Sequence, residues 1–130
     1  MARVMVVDDE ASVRAGVARY LRTQQHDVFE ASGGGEALRL AAQMQVDLVI
    51  TDINMPDTDG IELIIGLAET RPGIPIIAMS GGGLVSRELL LASADLLGAV
   101  RTLPKPFELT ELRDAVTVAL QDAEKGGAVP

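Results

Sequence analysis

The stretch 48-LVITDINMPDTDG-60 decides how this chain is read. Leu48, Val49, Ile50 and Thr51 run straight into Asp52, and two further aspartates, Asp57 and Asp59, precede Gly60. A short apolar run ended by Asn, Pro, Asp and Gly is the pattern of a strand buried on both faces and closed by a turn. Such a strand needs a covering layer on each side of its sheet, so the flanking segments must supply helices.

They do. Runs rich in β-formers occur at "RVMVV" (3–7), "DVFEA" (27–31), "DLVIT" (47–51), "IPIIAMS" (74–80) and "AVRTL" (99–103). Between them apolar residues recur every three or four positions, at Val13, Val17 and Leu21, at Leu38, Ala41 and Met44, at Ile61, Ile64 and Ala68, and at Leu109, Leu112, Val116 and Leu120. Five strands each followed by a helix predict one α/β domain with a doubly wound parallel sheet. The first, third and fourth runs are almost wholly apolar, which places them inside the sheet, whereas Glu30 and Arg101 put the second and fifth at its edges. Gly33 to Gly35, Pro72 with Gly73, and Gly98 punctuate the helices. Within 84–98, "LVSRELLLASADLLG" holds three successive leucines, more than one inward stripe uses, so either the spare ones pack on a neighbouring element or this helix offers a docking face. The domain is expected over 1–122, with 123–130, "AEKGGAVP", as a flexible tail.

Composition narrows the function. The 130 residues suit a single domain, and its core must be aliphatic because the only aromatics are Tyr20, Phe29 and Phe107. Absence of cysteine excludes disulfides and thiolate metal sites and fits a reducing, cytoplasmic compartment. No apolar run approaches membrane-spanning length. A net charge of −8 argues against direct nucleic-acid binding, since counterion release would work against it. Arginines outnumber lysines nine to two, and with Lys125 near the end, Lys105 is the one lysine in the body of the fold.

Ligands of open parallel α/β sheets bind outside the carboxyl ends of the strands. At those ends stand Asp8 and Asp9 after the first strand, Asp52 on the third, Ser80 on the fourth and Lys105 just past the fifth. Singly, Asp9 could cap a helix, Asp52 start a turn and Ser80 end a strand. Jointly they form a group that simple structural duties do not require. Carboxylates brought together repel, and a divalent, oxygen-loving cation relieves the repulsion; Mg²⁺ fits best because it takes few carboxylates and bridges to phosphoryl groups. The amine and hydroxyl would bind further phosphoryl oxygens, and a carboxylate can itself accept phosphate as a nucleophile.

On "VMVVDDE", "VITDINMPDTDG", "IIAMSGG" and "LPKPF" the chain resembles the receiver domain of two-component response regulators, over nearly its whole length. The resemblance implies a flavodoxin-like (βα)5 fold with strand order 2-1-3-4-5. It implies Asp52 as phosphoacceptor, Asp9 as a direct Mg²⁺ ligand with Asp8 acting through water, and the Asn54 backbone carbonyl completing the metal site. Ser80 matches the switch hydroxyl and Lys105 the phosphoryl-binding lysine, with a cis bond to Pro106. The partner would be a sensor histidine kinase or a histidine phosphotransfer protein, the chain a monomer or weak homodimer and not a dedicated enzyme. Phosphorylation would switch the loop after the fourth strand and the face made by the following helix, the fifth strand and the last helix.

Two features depart from that family. Thr102 stands where an aromatic usually precedes the lysine by three, and "SGGGLVSRE" lengthens the connection after Ser80. Readout is therefore expected through reordering of residues 81–87, which a glycine triplet makes pliable. Other readings fit less well. "DTDG" taken as a calcium loop puts Met55 at position 1 and Gly66 at position 12, so the bidentate acid is missing. A haloacid-dehalogenase-like aspartyl-phosphate phosphatase needs a second acid where Asn54 stands. "GGGLVS" lacks the last glycine of a dinucleotide loop, and no Gly-Lys-Ser/Thr loop exists. His26, the sole histidine, reads as a surface turn residue. A vestigial receiver acting only as an interaction module remains the non-catalytic alternative.

Overall fold

The computed structural model describes residues 2–53, 60–81 and 100–127, with the Ser80 side chain outside that description. Strands β1 (Arg3–Val7), β2 (Asp27–Ala31), β3 (Leu48–Asp52), β4 (Ile76–Gly81) and β5 (Val100–Lys105) form one parallel sheet in the order β2-β1-β3-β4-β5. Helices α1 (Ala11–Thr23), α2 (Gly34–Gln43) and α3 (Gly60–Thr70) and a C-terminal helix (Leu109–Gly127) cover its faces. The fold class, the strand order and the edge positions of β2 and β5 are those expected from the sequence. The helix expected in 84–98 and the segment 82–87 lie outside the described residues, as do Asn54, Asp57 and Asp59.

Strand side chains alternate between faces, and the core divides accordingly. Met5, Val7, Val49, Ile76 and Ala78 pack under α2 and α3 with Leu63, Ile64 and Leu67. Val4, Val6, Leu48, Ile50, Ile77 and Met79 pack on the other face with Val17 and Leu21 of α1 and Leu112 and Val116 of the C-terminal helix. All three aromatics are only partly buried, at the margins of this aliphatic core.

The edge charges that marked β2 and β5 are paired across to helices. Glu30 takes Arg14 and Arg22 from α1, and Arg101 pairs with Asp122 on the C-terminal helix. That helix continues past Asp122 to Gly127, so a tail boundary at 122 falls inside helical backbone. Ala123, Glu124 and Lys125 are strong helix formers, and the pattern carries on until the glycines. β3 ends on Asp52, where the sequence placed that residue. β4 and β5 run further than their sequence pattern suggests, to Gly81 and Lys105, with Pro104 paired to Ser80 and Lys105 to Gly81. No helix among the described residues is long and apolar enough to cross a membrane.

Candidate functional site

The register of the parallel sheet brings the strand ends to one level. Val7 lies beside Thr51, so Asp8 and Asp52 each stand one step further along adjacent strands. Asp52 in turn lies beside Met79, and Met79 beside Leu103, which leaves Lys105 two residues beyond on β5. A long lysine side chain can then reach back over the end of β4.

Its ammonium does so. Lys105 Nζ lies 3.3 Å from Asp8 Oδ2 and 3.5 Å from Asp52 Oδ2. Asp8 is fully buried and Asp52 nearly so, at 8% exposure, while Asp9 faces solvent. Burial works to lower the pKa of Lys105, but the carboxylates of Asp52 and Asp8 outweigh it by charge and hydrogen bonding. The ammonium is therefore held above its ordinary range.

Asp8 is held on every side. Its N–H donates to Ala31 O at 3.2 Å, its carbonyl accepts from Arg14 Nη1 at 2.8 Å, and its Oδ1 accepts from the N–H of Glu10, the cap of α1, at 2.9 Å. It is thus Asp8, not Asp9, that serves the start of that helix. Asp52 ends a strand whose following residue still pairs, Ile53 N donating to Met79 O at 3.1 Å. Gly60 N then donates to Ile53 O at 2.8 Å, seating the first residue of α3 against the strand end.

Asp8, Asp9 and Asp52 each offer a carboxylate oxygen, and these atoms all lie within 4.8 Å of one another. The donor set is all oxygen, which suits a hard cation such as Mg²⁺. Three carboxylates against one ammonium leave two formal negative charges, which a divalent ion neutralises. A phosphoryl group, rich in oxygens and negative charge, would meet the lysine from the same side.

The sequence reading thus places Asp8, Asp9, Asp52 and Lys105 correctly together. Ser80 lies on β4 beside Pro104, at the same end of the sheet, and Asn54 lies outside the described residues. The Lys105–Pro106 bond is cis, as the resemblance implied. Thr102 is exposed on β5. His26 precedes β2, at the opposite ends of the strands, and is partly buried with Nδ1 accepting from Ala2 N–H at 3.2 Å. Sequence reasoning missed Arg14 and Gly60. Arg14 follows Asp8 by six residues on an ordinary amphipathic helix and carries no signal of its own, whereas Gly60 ends the "DTDG" stretch that follows Asp52 in sequence.

The sequence matches the profile of the response regulator receiver domain over residues 4–117. It is 34% identical over 129 residues to the DNA-binding transcriptional regulator NtrC of Azospirillum brasilense, covering 99% of this chain and 26% of that protein. Against the sensor kinase CckA of Brucella abortus it is 34% identical over 122 residues, covering 92% of this chain and 13% of that one. The chain therefore spans only a small part of either relative. The crystal structure of a CheY-like response regulator receiver domain protein from Methanospirillum hungatei superposes with a TM-score of 0.86 at 25% identity, covering 97% of this chain and 98% of that one. With its strand order, its acidic cluster and a profile match across most of its length, the chain belongs to the response regulator receiver domain family.

Proposed function

We propose that this domain accepts a phosphoryl group on Asp52 from a phosphohistidine of a sensor histidine kinase or histidine phosphotransfer protein, with Mg²⁺ bound beside it. The observation that carries the reading is Lys105 Nζ lying within 3.5 Å of both Asp8 and Asp52, with Asp9 closing the acidic cluster. Asp8, Asp9 and Asp52 would hold the ion, joined by the Asn54 carbonyl. Bound there, Mg²⁺ supplies charge neutralisation for the phosphoryl oxygens.

The chain's own groups do the rest. An Asp52 carboxylate oxygen bonds to phosphorus as the P–N bond breaks, and the electron pair returns to the imidazole nitrogen. Because an ionised carboxylate attacks, no base on this chain is needed. The rigid strand end presents Asp52 in a fixed direction, Lys105 donates to a phosphoryl oxygen, and Ser80 is assigned a second such oxygen. The domain is read as a phosphoacceptor with slow self-dephosphorylation and not as a dedicated enzyme. A cytoplasmic location goes with that role. Readout is assigned to residues 81–87 and the neighbouring face, a reading supported by the exposed Thr102, which provides no ring to rotate inward.

Intact mass after incubation with acetyl phosphate and Mg²⁺ tests this. Wild type should gain one phosphoryl group and Asp52→Asn none. Equal labelling of both, or labelling of neither, would remove Asp52 as the acceptor.

A further inference from the structure

Arg14 makes a contact that the phosphoacceptor reading does not use. Its Nη1 donates to the Asp8 carbonyl at 2.8 Å while its Nε lies 3.3 Å from Glu30 Oε1 on β2. The second carboxylate oxygen of Glu30 is 3.5 Å from Arg22 Nη2. Pairing of β1 with β2 ends at Val7 and Ala31, so the Asp8 carbonyl lies beyond the last paired residue of its strand. A buried carbonyl there needs a donor, and a guanidinium is a strong one.

That carbonyl belongs to the planar peptide unit joining Asp8 to Asp9. Holding its direction restricts ψ of Asp8 and φ of Asp9, and with them the directions in which the two carboxylates leave the main chain. We propose that Arg14 is a positioning residue for the acidic cluster: anchored by Glu30, it sets the Asp8–Asp9 peptide plane and so the spacing of the two carboxylates offered to a divalent cation. The inference rests on the reading of Asp8, Asp9 and Asp52 as a Mg²⁺ site.

Mg²⁺ affinity, followed by amide shifts in an NMR titration of the folded chain, tests it. Partners that orient metal ligands typically change metal affinity about 10-fold or more when lost, and Arg14→Ala should weaken Mg²⁺ binding by about that factor. Arg22→Ala is the control, because Arg22 also bonds Glu30 and donates to Val28 O at 3.0 Å but does not touch Asp8. It should bind Mg²⁺ as wild type does. If Arg14→Ala does not fold, Arg14→Lys is read instead: a compact ammonium cannot hold Glu30 and the carbonyl together as a guanidinium can, and a few-fold weakening is expected. Wild-type affinity in the folded Arg14 variant, or equal weakening in Arg22→Ala, overturns the inference while leaving the proposed function standing. A wild type that shows no Mg²⁺-dependent shift overturns the metal reading itself, before any variant is compared.

Discussion

His26 and Asp8 sit at opposite ends of the sheet, and each is constrained by a main-chain partner. Asp8 is held by Ala31, Arg14, Glu10 and Lys105 together, so its direction is set before any ligand arrives. His26 accepts from Ala2 N–H, and burial, then the positive amino terminus, holds its pKa below the ordinary value. A base whose pKa is depressed on folding binds fewer protons folded than unfolded. Stability should therefore fall as pH drops below about 6.5 and level off once the folded value is passed. Urea midpoints measured between neutral and mildly acidic pH should fall more steeply for wild type than for His26→Gln; identical slopes would show that His26 contributes nothing. At this scale the sequence was a partial guide. Lys105 stood out because lysine is scarce, but Arg14 is one of nine arginines, and only the path of the main chain after β1 distinguishes it.

The junction of β3 and α3 shows how one element positions another. A Cβ on Gly60 would lie 2.4 Å from Asp52 O and 2.5 Å from Ile53 Cα, both backbone atoms that cannot rotate aside. Gly60→Ala must push α3 away from the strand end, and overpacking of this kind costs roughly 1–3 kcal/mol, sometimes more. The same helix holds a contrast. A Cβ on Gly66 would meet Leu38 Cδ2 at 2.9 Å, the far end of a flexible side chain, while the helix gains up to about 1 kcal/mol from replacing glycine. Gly66→Ala should be nearly neutral. Urea denaturation of the two variants should separate them clearly, and under the proposed function Gly60→Ala should also take up phosphate on Asp52 more slowly; equal costs would refute the close-approach explanation. Elements were legible in the sequence as kinds and in order, because apolar periodicity is local. Their ends were less so: β5 reaches Lys105 through pairing with β4, and the last helix runs to Gly127.

Across the whole molecule, the sheet order makes β1 and β3 neighbours and places β5 one strand further on. The topology therefore assembles like charges at one point, and the protein without metal carries that repulsion. Asp9→Asn removes one exposed carboxylate from the cluster, so it should raise stability in the absence of metal. It should also reduce the gain from Mg²⁺, which for an intact site is about 2.7 kcal/mol at 100 times the Kd. Thermal melts of both proteins with and without Mg²⁺ would check this; a wild type whose melting temperature ignores Mg²⁺ would favour a vestigial, interaction-only domain. By itself the sequence determined the fold class, the central and edge strands and the residues at the strand ends, because burial and turn chemistry are written in short-range patterns. Only the tertiary structure decided that Lys105 reaches Asp8 across 97 residues, that Arg14 holds the Asp8 carbonyl and that nothing larger than glycine fits at position 60. Those facts depend on which strand ends meet and how closely backbones approach, and such distances are set by packing between elements, not by the pattern within any one of them.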